Sequence, residues 1–395
     1  MNLTELFEPQ LWADARPLFA FAGATALASL VLCGLASALG LVTDRVEARS
    51  NHADPVSRAG GVVIALCFGV AGLFWSVTRG LAPDALNLLV LVVIAALLGF
   101  LDDRKPMSAG IKLIALALVS ALIVLATGPV PSLPVPLIGW IALSPAVGTA
   151  LAFLWVIGFV NAFNFMDGLN GMAAVTGAAL LTGVGILGAA QTGGASLYIL
   201  CLAASAALFG FAVLNIGRGR PFLGDAGSLG LGALIAGGAL AAAQLGGEAA
   251  PFAALPLLVT LAAAIPFVGD VALTLLRRTR EGERLSEAHS QHAYQRLFRA
   301  GRSHQAVAAA YGLAAWIVMA VGVGLALWGE ASVWMPWALG LAGLALWRLG
   351  VLSLARGRPG YAARATEDSA SASSLSRTPL GGSAASDAAA SSAYA

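Results

Sequence analysis

Long apolar runs, each near the length of a membrane crossing and separated by short polar breaks, make up the chain from residue 18 to residue 353. A helix needs about 20 mostly apolar residues to span a bilayer. Runs of this kind lie at 18–40, 60–78, 85–101, 111–127, 147–163, 172–190, 196–214, 228–246, 251–276, 305–328 and 332–353, which predicts an all-α polytopic bundle of about 10–11 transmembrane helices. Between the fourth and fifth runs, 129–146 is rich in Pro and Gly and is a candidate for a short re-entrant piece. From about Gly357 the pattern gives way to Ser and Ala with little to bury, as in disordered segments. The expected organisation is a membrane domain over 1–355 and a disordered cytoplasmic tail over 356–395. No heptad or fixed-period repeat is visible.

Composition turns this pattern into a statement about solvent. The 395 residues are 59% hydrophobic and 11% charged, against about 25% charged in soluble domains. Such a chain cannot cover itself with polar surface, so the lipid bilayer is its expected surroundings. The formal net charge of +2 gives no reason to expect nucleic acid. Cys33, Cys67 and Cys201 all sit inside apolar runs without a Cys-x-x-Cys pair and read as packing residues. Glu5, Glu8 and Asp14 precede the first run where a secretory signal would carry positive charge, so 20–40 reads as a retained span.

The 22 basic residues are distributed unevenly. With alternating spans, one side collects Arg45, Arg49, Arg58, Arg104, Lys105, Lys112, Arg218, Arg220 and the run from Arg277 to Arg302. The other holds Arg16 and Arg79. The positive-inside rule makes the first side cytoplasmic, with the N-terminus outside and the C-terminus inside.

Against so apolar a background, clustered ionisable groups at membrane boundaries are functional candidates. Four clusters fall on the side expected to be cytoplasmic. Asp102-Asp103-Arg104-Lys105 ends the third run, with Lys112 in the next; adjacent carboxylates need a cation nearby, although an ordinary charged loop would look the same. Asn161, Asn164 and Asp167 crowd the end of the fifth run, with Asn161 and Asn164 on one helix face. Their oxygens are hard ligands suited to Mg²⁺, and a polar capping turn is the bland alternative. Asn215, Arg218, Arg220, Phe222, Gly224 and Asp225 lead into the eighth run. A glycine-rich turn opening a helix suits anions, Asp225 could hold a metal against them, and Phe222 offers a stacking face for a base. The longest loop carries Arg277, Arg278, Arg280, Arg284, His289, His292, Arg296, Arg299 and Arg302. Attraction to anionic lipid accounts for its outer arginines. His289 and His292 lie i, i+3 apart, but no Cys or third His close in sequence completes a zinc set.

Together these clusters suit a substrate with several phosphates, beside a phosphorylated lipid whose head group lies at this depth. Asp102-Asp103, Asn161-x-x-Asn164-x-x-Asp167-Gly168 and Phe222-Leu-Gly224-Asp225-x-Gly-Ser228, in this order from about residue 40 to 305, resemble the polyprenyl-phosphate N-acetylhexosamine-1-phosphate transferase superfamily, glycosyltransferase family 4. The resemblance implies transfer of a sugar-1-phosphate from a UDP-N-acetylhexosamine to undecaprenyl phosphate with release of UMP, in a cytoplasmic active-site cleft at the bacterial inner membrane. It implies Mg²⁺ as cofactor, with Mn²⁺ as the alternative ion, held by Asp225 with Asn164 near the metal and diphosphate. It places Phe222 against uracil, Asn215 at the nucleotide, Asp102 and Asp103 beside the acceptor phosphate, and Arg58 at the lipid phosphate. Asp167 and His292 join the catalytic set, and Asn161, Lys112 and His289 the substrate-binding set. The family is often a homodimer, which the sequence itself does not show.

The last loop departs from the His-x-His-His run of the GlcNAc-1-phosphate transferase branch. His292-Ala-Tyr294-Gln295 keeps one of its histidines, and Ser286 to Gln295 looks more like enzymes that initiate O-antigen synthesis. The loop is expected to read the sugar, so sugar identity stays open, with phospho-MurNAc-pentapeptide transfer ranked below. A transporter or flippase would place polar groups nearer mid-membrane, often with internal repeats. A scaffold protein would have little use for these acids.

Overall fold

The computed structural model describes residues 9–42, 57–191, 193–245, 252–283, 291–329 and 332–357. Over these the chain forms α1 (Pro9–Ala38), α2 (Ala59–Arg79), α3 (Pro83–Arg104), α4 (Ala109–Thr127), a ribbon of β1 (Ser132–Val135) and β2 (Gly139–Ala142), α5 (Pro145–Phe165), α6 (Met172–Ala189), α7 (Ala195–Arg218), α8 (Gly224–Leu245), α9 (Leu255–Ala263), α10 (Ile265–Arg280), α11 (Ala293–Arg299), α12 (His304–Leu327) and α13 (Met335–Ala355). Ten of these helices are long and apolar enough to cross a membrane, and the α9–α10 pair, bent by 66°, makes an eleventh if it is counted as one broken span rather than a re-entrant loop. The protein is therefore a multi-pass α-helical membrane protein. The tail expected after residue 357 and His289 both lie outside the described residues.

Two stretches differ from the sequence expectation. The run at 251–276 is not one straight span. Pro256 and Pro266 each sit in the first turn of a helix, where a missing N–H costs nothing. The chain turns at Ala264 between them. The turn aims the last turn of α10, with Arg277, Arg278 and Arg280, at the polar boundary. The stretch 129–146, expected to hold a short re-entrant piece, contains an antiparallel hairpin, with Ser132 opposite Ala142 and Val135 opposite Gly139. Pro129, Pro131, Pro134 and Pro136 forbid helix here, and a hairpin satisfies part of its backbone within itself. Trp337 Nε1 donates to Pro134 O at 3.1 Å and Gln244 Nε2 donates to Pro129 O, so the ribbon is tied to α13 and α8.

The bundle is organised around α8, which packs against α2, α3, α4, α5, α6, α7 and α9. Its sequence explains this. Gly and Ala dominate Gly224–Leu245, and small side chains let neighbouring backbones approach closely, the main source of helix association in lipid. Trp155 Nε1 of α5 reaches the Ala236 carbonyl of α8 at 3.0 Å. Peripheral α1 and α13 instead turn large apolar side chains outward, Leu27 and Leu349 among them, as lipid-facing helices do.

Alternation of the spans brings the polar ends together. The C-termini of α3 and α5 and the N-termini of α2, α4 and α8 meet at one end of the bundle, and the hairpin between α4 and α5 lies at the other.

Candidate active site

The first turn of α8 is the centre of the polar end. Its free backbone amides are held by an acid from another span: Asp225 N donates to Asp103 Oδ1 at 3.2 Å and Ala226 N to Asp103 Oδ2 at 3.0 Å. A carboxylate there satisfies amides that have no partner inside the helix and offsets the positive end of its dipole. α3 can come this close because residue 99 is glycine; a Cβ there would run into the Asp225 carbonyl. Asp103 has a fully buried side chain, and Arg58 Nη1 lies 3.4 Å from its Oδ1.

The loop before α8 is fixed by backbone pairing with the entry to α2. Phe222 N donates to Ser57 O at 2.8 Å, Gly60 N to Phe222 O at 3.1 Å and Gly61 N to Leu223 O at 2.8 Å. This pairing seats Arg58 and Phe222 beside the turn, with Phe222 half-buried.

Asp102 and Asp225 share a cation from α4. Lys112 Nζ is 2.7 Å from Asp102 Oδ2 and is also paired with Asp225 Oδ2. Asp102 is held by the Met107 amide at 2.7 Å. Asp225 accepts at Oδ1 from Asn164 Nδ2 at 2.9 Å, and the same amide nitrogen reaches Ser228 Oγ at 2.8 Å. Asn164 thus orients the Asp225 carboxylate. Ser228 closes the sequence motif that begins at Phe222 but was given no role there, although its place one helical turn after Asp225 was the available signal.

Asp167, in the turn between α5 and α6, accepts from the Gly224 amide. Burial, then the negative charges of Asp225 and Asp103, push its carboxyl well above the usual carboxylate range, with Arg58 and the Gly224 N–H working the other way. Four carboxylates, Asp102, Asp103, Asp167 and Asp225, are therefore brought together with Lys112 and Arg58. No ready-made set of three or more His, Cys, Asp or Glu ligands for a metal occurs among the described residues.

Two expected substrate contacts, Asn215 and Asn161, and one expected catalytic residue, His292, make other contacts in this structure. Asn215 is 4% exposed and ties two loops, accepting from Gly171 N at 2.7 Å and donating to Pro221 O at 2.9 Å, so both ends of its amide are engaged with backbone. Asn161 Nδ2 donates to Ile157 O of its own helix at 2.8 Å. His292 is 3% exposed at the start of α11, with Nδ1 3.7 Å from Asp270 Oδ1.

Comparison with known proteins bears on this arrangement. The model of glycosyl transferase family 4 matches residues 85–243, a stretch that contains all four carboxylates, Lys112, Asn164 and Phe222. The decaprenyl-phosphate N-acetylglucosaminephosphotransferase of Mycobacterium tuberculosis is 31% identical over 322 residues, covering 75% of this chain and 77% of its own. The protein of the same name from Mycobacterium leprae is 28% identical over 352 residues, 80% of this chain and 86% of its own. By that coverage, the chain belongs to glycosyl transferase family 4, within the polyprenyl-phosphate hexosamine-1-phosphate transferase superfamily.

Proposed function

We propose that the protein transfers an N-acetylhexosamine-1-phosphate from a UDP-sugar to undecaprenyl phosphate, releasing UMP, at the cytoplasmic face of the bacterial inner membrane. The observation that carries this reading is the gathering of Asp102, Asp103, Asp167 and Asp225 with Lys112 and Arg58 around the first turn of α8, at the membrane boundary. The named activity of the mycobacterial relatives, a sugar phosphotransferase acting on a polyprenyl phosphate, supports it.

The residues present fit Mg²⁺. This ion characteristically takes one or two protein carboxylates and completes its shell with water and substrate phosphates. Asp225 is the carboxylate suited to hold it, being 26% exposed at the side chain and oriented by Asn164, with Asp102 next to it. Asp103 is already engaged with the α8 amides, so its part is to fix that helix end. When bound, Mg²⁺ would supply charge neutralisation on diphosphate oxygens.

The chain's own groups do the rest by position. An oxygen of the acceptor phosphate forms a new bond to the sugar-bearing phosphorus, and the bond from that phosphorus to UMP breaks. The acceptor is already ionised near neutral pH, so no strong base is needed. Arg58 and Lys112 offset repulsion between the two anions, and Phe222 gives uracil a flat surface.

The test is transfer of label from a panel of UDP-N-acetylhexosamines to undecaprenyl phosphate by purified protein, with and without Mg²⁺. Mg²⁺-dependent lipid labelling with equal release of UMP is the expected result, and the best donor names the sugar. Folded protein that releases no UMP from any donor, including nucleotide sugars from cell extract, would refute the transferase reading.

A further inference from the structure

We propose that Asp270 and Tyr294 are positioning residues that hold the Asp167 turn in place and link it to the loop expected to read the donor sugar; this rests on the transferase reading above. Asp270, in α10, is 2% exposed and accepts from four groups. Ala293 N lies 2.8 Å from Oδ1 and Tyr294 N 3.2 Å from Oδ2, while the hydroxyls of Tyr311 and Thr274 donate at 2.6 and 3.3 Å. It thereby pins the first turn of α11, the segment that returns the loop to the bundle.

Tyr294 carries the connection onward. Its ring is 1% exposed and stacks on His292, with centroids 5.8 Å apart and planes 14° apart. Its hydroxyl donates to Phe165 O at 3.0 Å, two residues before Asp167. Gly168, just after Asp167, is the notch that receives this ring. A Cβ there would meet the Tyr294 hydroxyl, and would lie 2.8 Å from Cε2. The far side of the same turn is held by Asn215, which accepts from Gly171 N, and by His304, whose Nδ1 accepts from Asn170 N at 3.1 Å.

The turn is thus clamped between α11 on one side and α7 and α12 on the other. Of these, only α11 continues directly from the loop that contains His289. Tyr294 ties the start of α11 to the Asp167 turn, and Asp270 fixes the position of that start. Tyr294 occupies one of the positions where the GlcNAc-1-phosphate branch has histidine, which gives this departure a structural use.

The test uses the full-length protein in detergent or lipid, with Tyr294→Phe, which removes only the hydroxyl, and Asp270→Asn. Amide hydrogen exchange over residues 166–171 needs no substrate. It should quicken by about fivefold in each variant, as expected for loss of one hydrogen bond, with the α3 and α8 amides unchanged. In the transfer assay, kcat should fall by a similar factor while the donor KM stays within about twofold, the pattern of a misplaced reacting group. Unchanged exchange at 166–171 in both variants overturns the proposal. So does faster exchange spread over the whole bundle with a lower melting temperature, which would make both residues packing alone. Wild-type protein inactive on every donor, with exchange still responding in the turn, would refute the transferase reading and leave the link standing.

Discussion

Asp103 and Asp270 are both buried acids that reach from one helix to the first turn of another, the former to α8 and the latter to α11. Their surroundings differ. Asp103 is flanked by three further carboxylates and by Arg58 and Lys112, several of them open to the polar boundary. Around Asp270 are the hydroxyls of Tyr311 and Thr274 and the ring of His292. One helix-end device therefore serves two purposes. At α8 it gathers more carboxylates than cations, an excess that a further cation brought in with an anionic substrate would settle; at α11 it is closed and fixes the start of a helix.

The largest effect expected is from Asp225→Ala, which should lower transfer by at least about a thousandfold, the scale of losing a principal electrostatic group. The protein should still insert and elute as wild type on size exclusion. Asp103→Asn comes next. It keeps shape but loses the charge facing Arg58 and the α8 amides, so turnover should drop by about a hundredfold and stability by roughly 1–2 kcal/mol. Label transfer and melting temperature check the two parts. If Asp270→Asn were as damaging to turnover as Asp103→Asn, the contrast between the two acids would collapse.

A smaller effect concerns pH. Because the folded Asp167 carboxyl holds its proton more tightly than in the unfolded chain, the folded state binds more protons, and its stability falls as pH rises from the usual carboxylate range through the raised value. Asp167→Asn removes this cost. Its stability advantage over wild type should grow with rising pH across that interval and then level off, as measured by melting in chelator. The smallest effect is predicted at the other end of the bundle. Leu137, 93% exposed at the hairpin, should tolerate Ser with transfer unchanged and stability within about 0.5 kcal/mol.

What could be read from sequence follows the same division. The spans were legible because bilayer thickness imposes one length on every crossing; α2, α4 and α7 begin within a few residues of their apolar runs. Asp102, Asp103, Lys112, Asn164, Asp167 and Asp225 were legible because charge is rare here and each lies at the edge of a run. Asn215 was readable as a polar residue near the site but not as a loop tie, since its partners Gly171 and Pro221 meet only once α6 and α7 pack. His292 in the same way was readable as a candidate catalytic residue but not as a buried neighbour of Asp270. The Tyr294 link has no local signal, for it joins residues 129 positions apart.

The small side chains of α8 carry a further consequence, for biogenesis. The hydropathy of this span is 1.6, against 2.5 for α3 and α4, and 94% of it is enclosed by the other helices. Insertion of a nascent segment depends on its own apolarity, so α8 has the weakest claim of the ten unbroken spans to enter the bilayer unaided. Its retention should depend on the earlier helices already waiting beside it, so the helix whose first turn gathers the acids also leans on its neighbours to be built in.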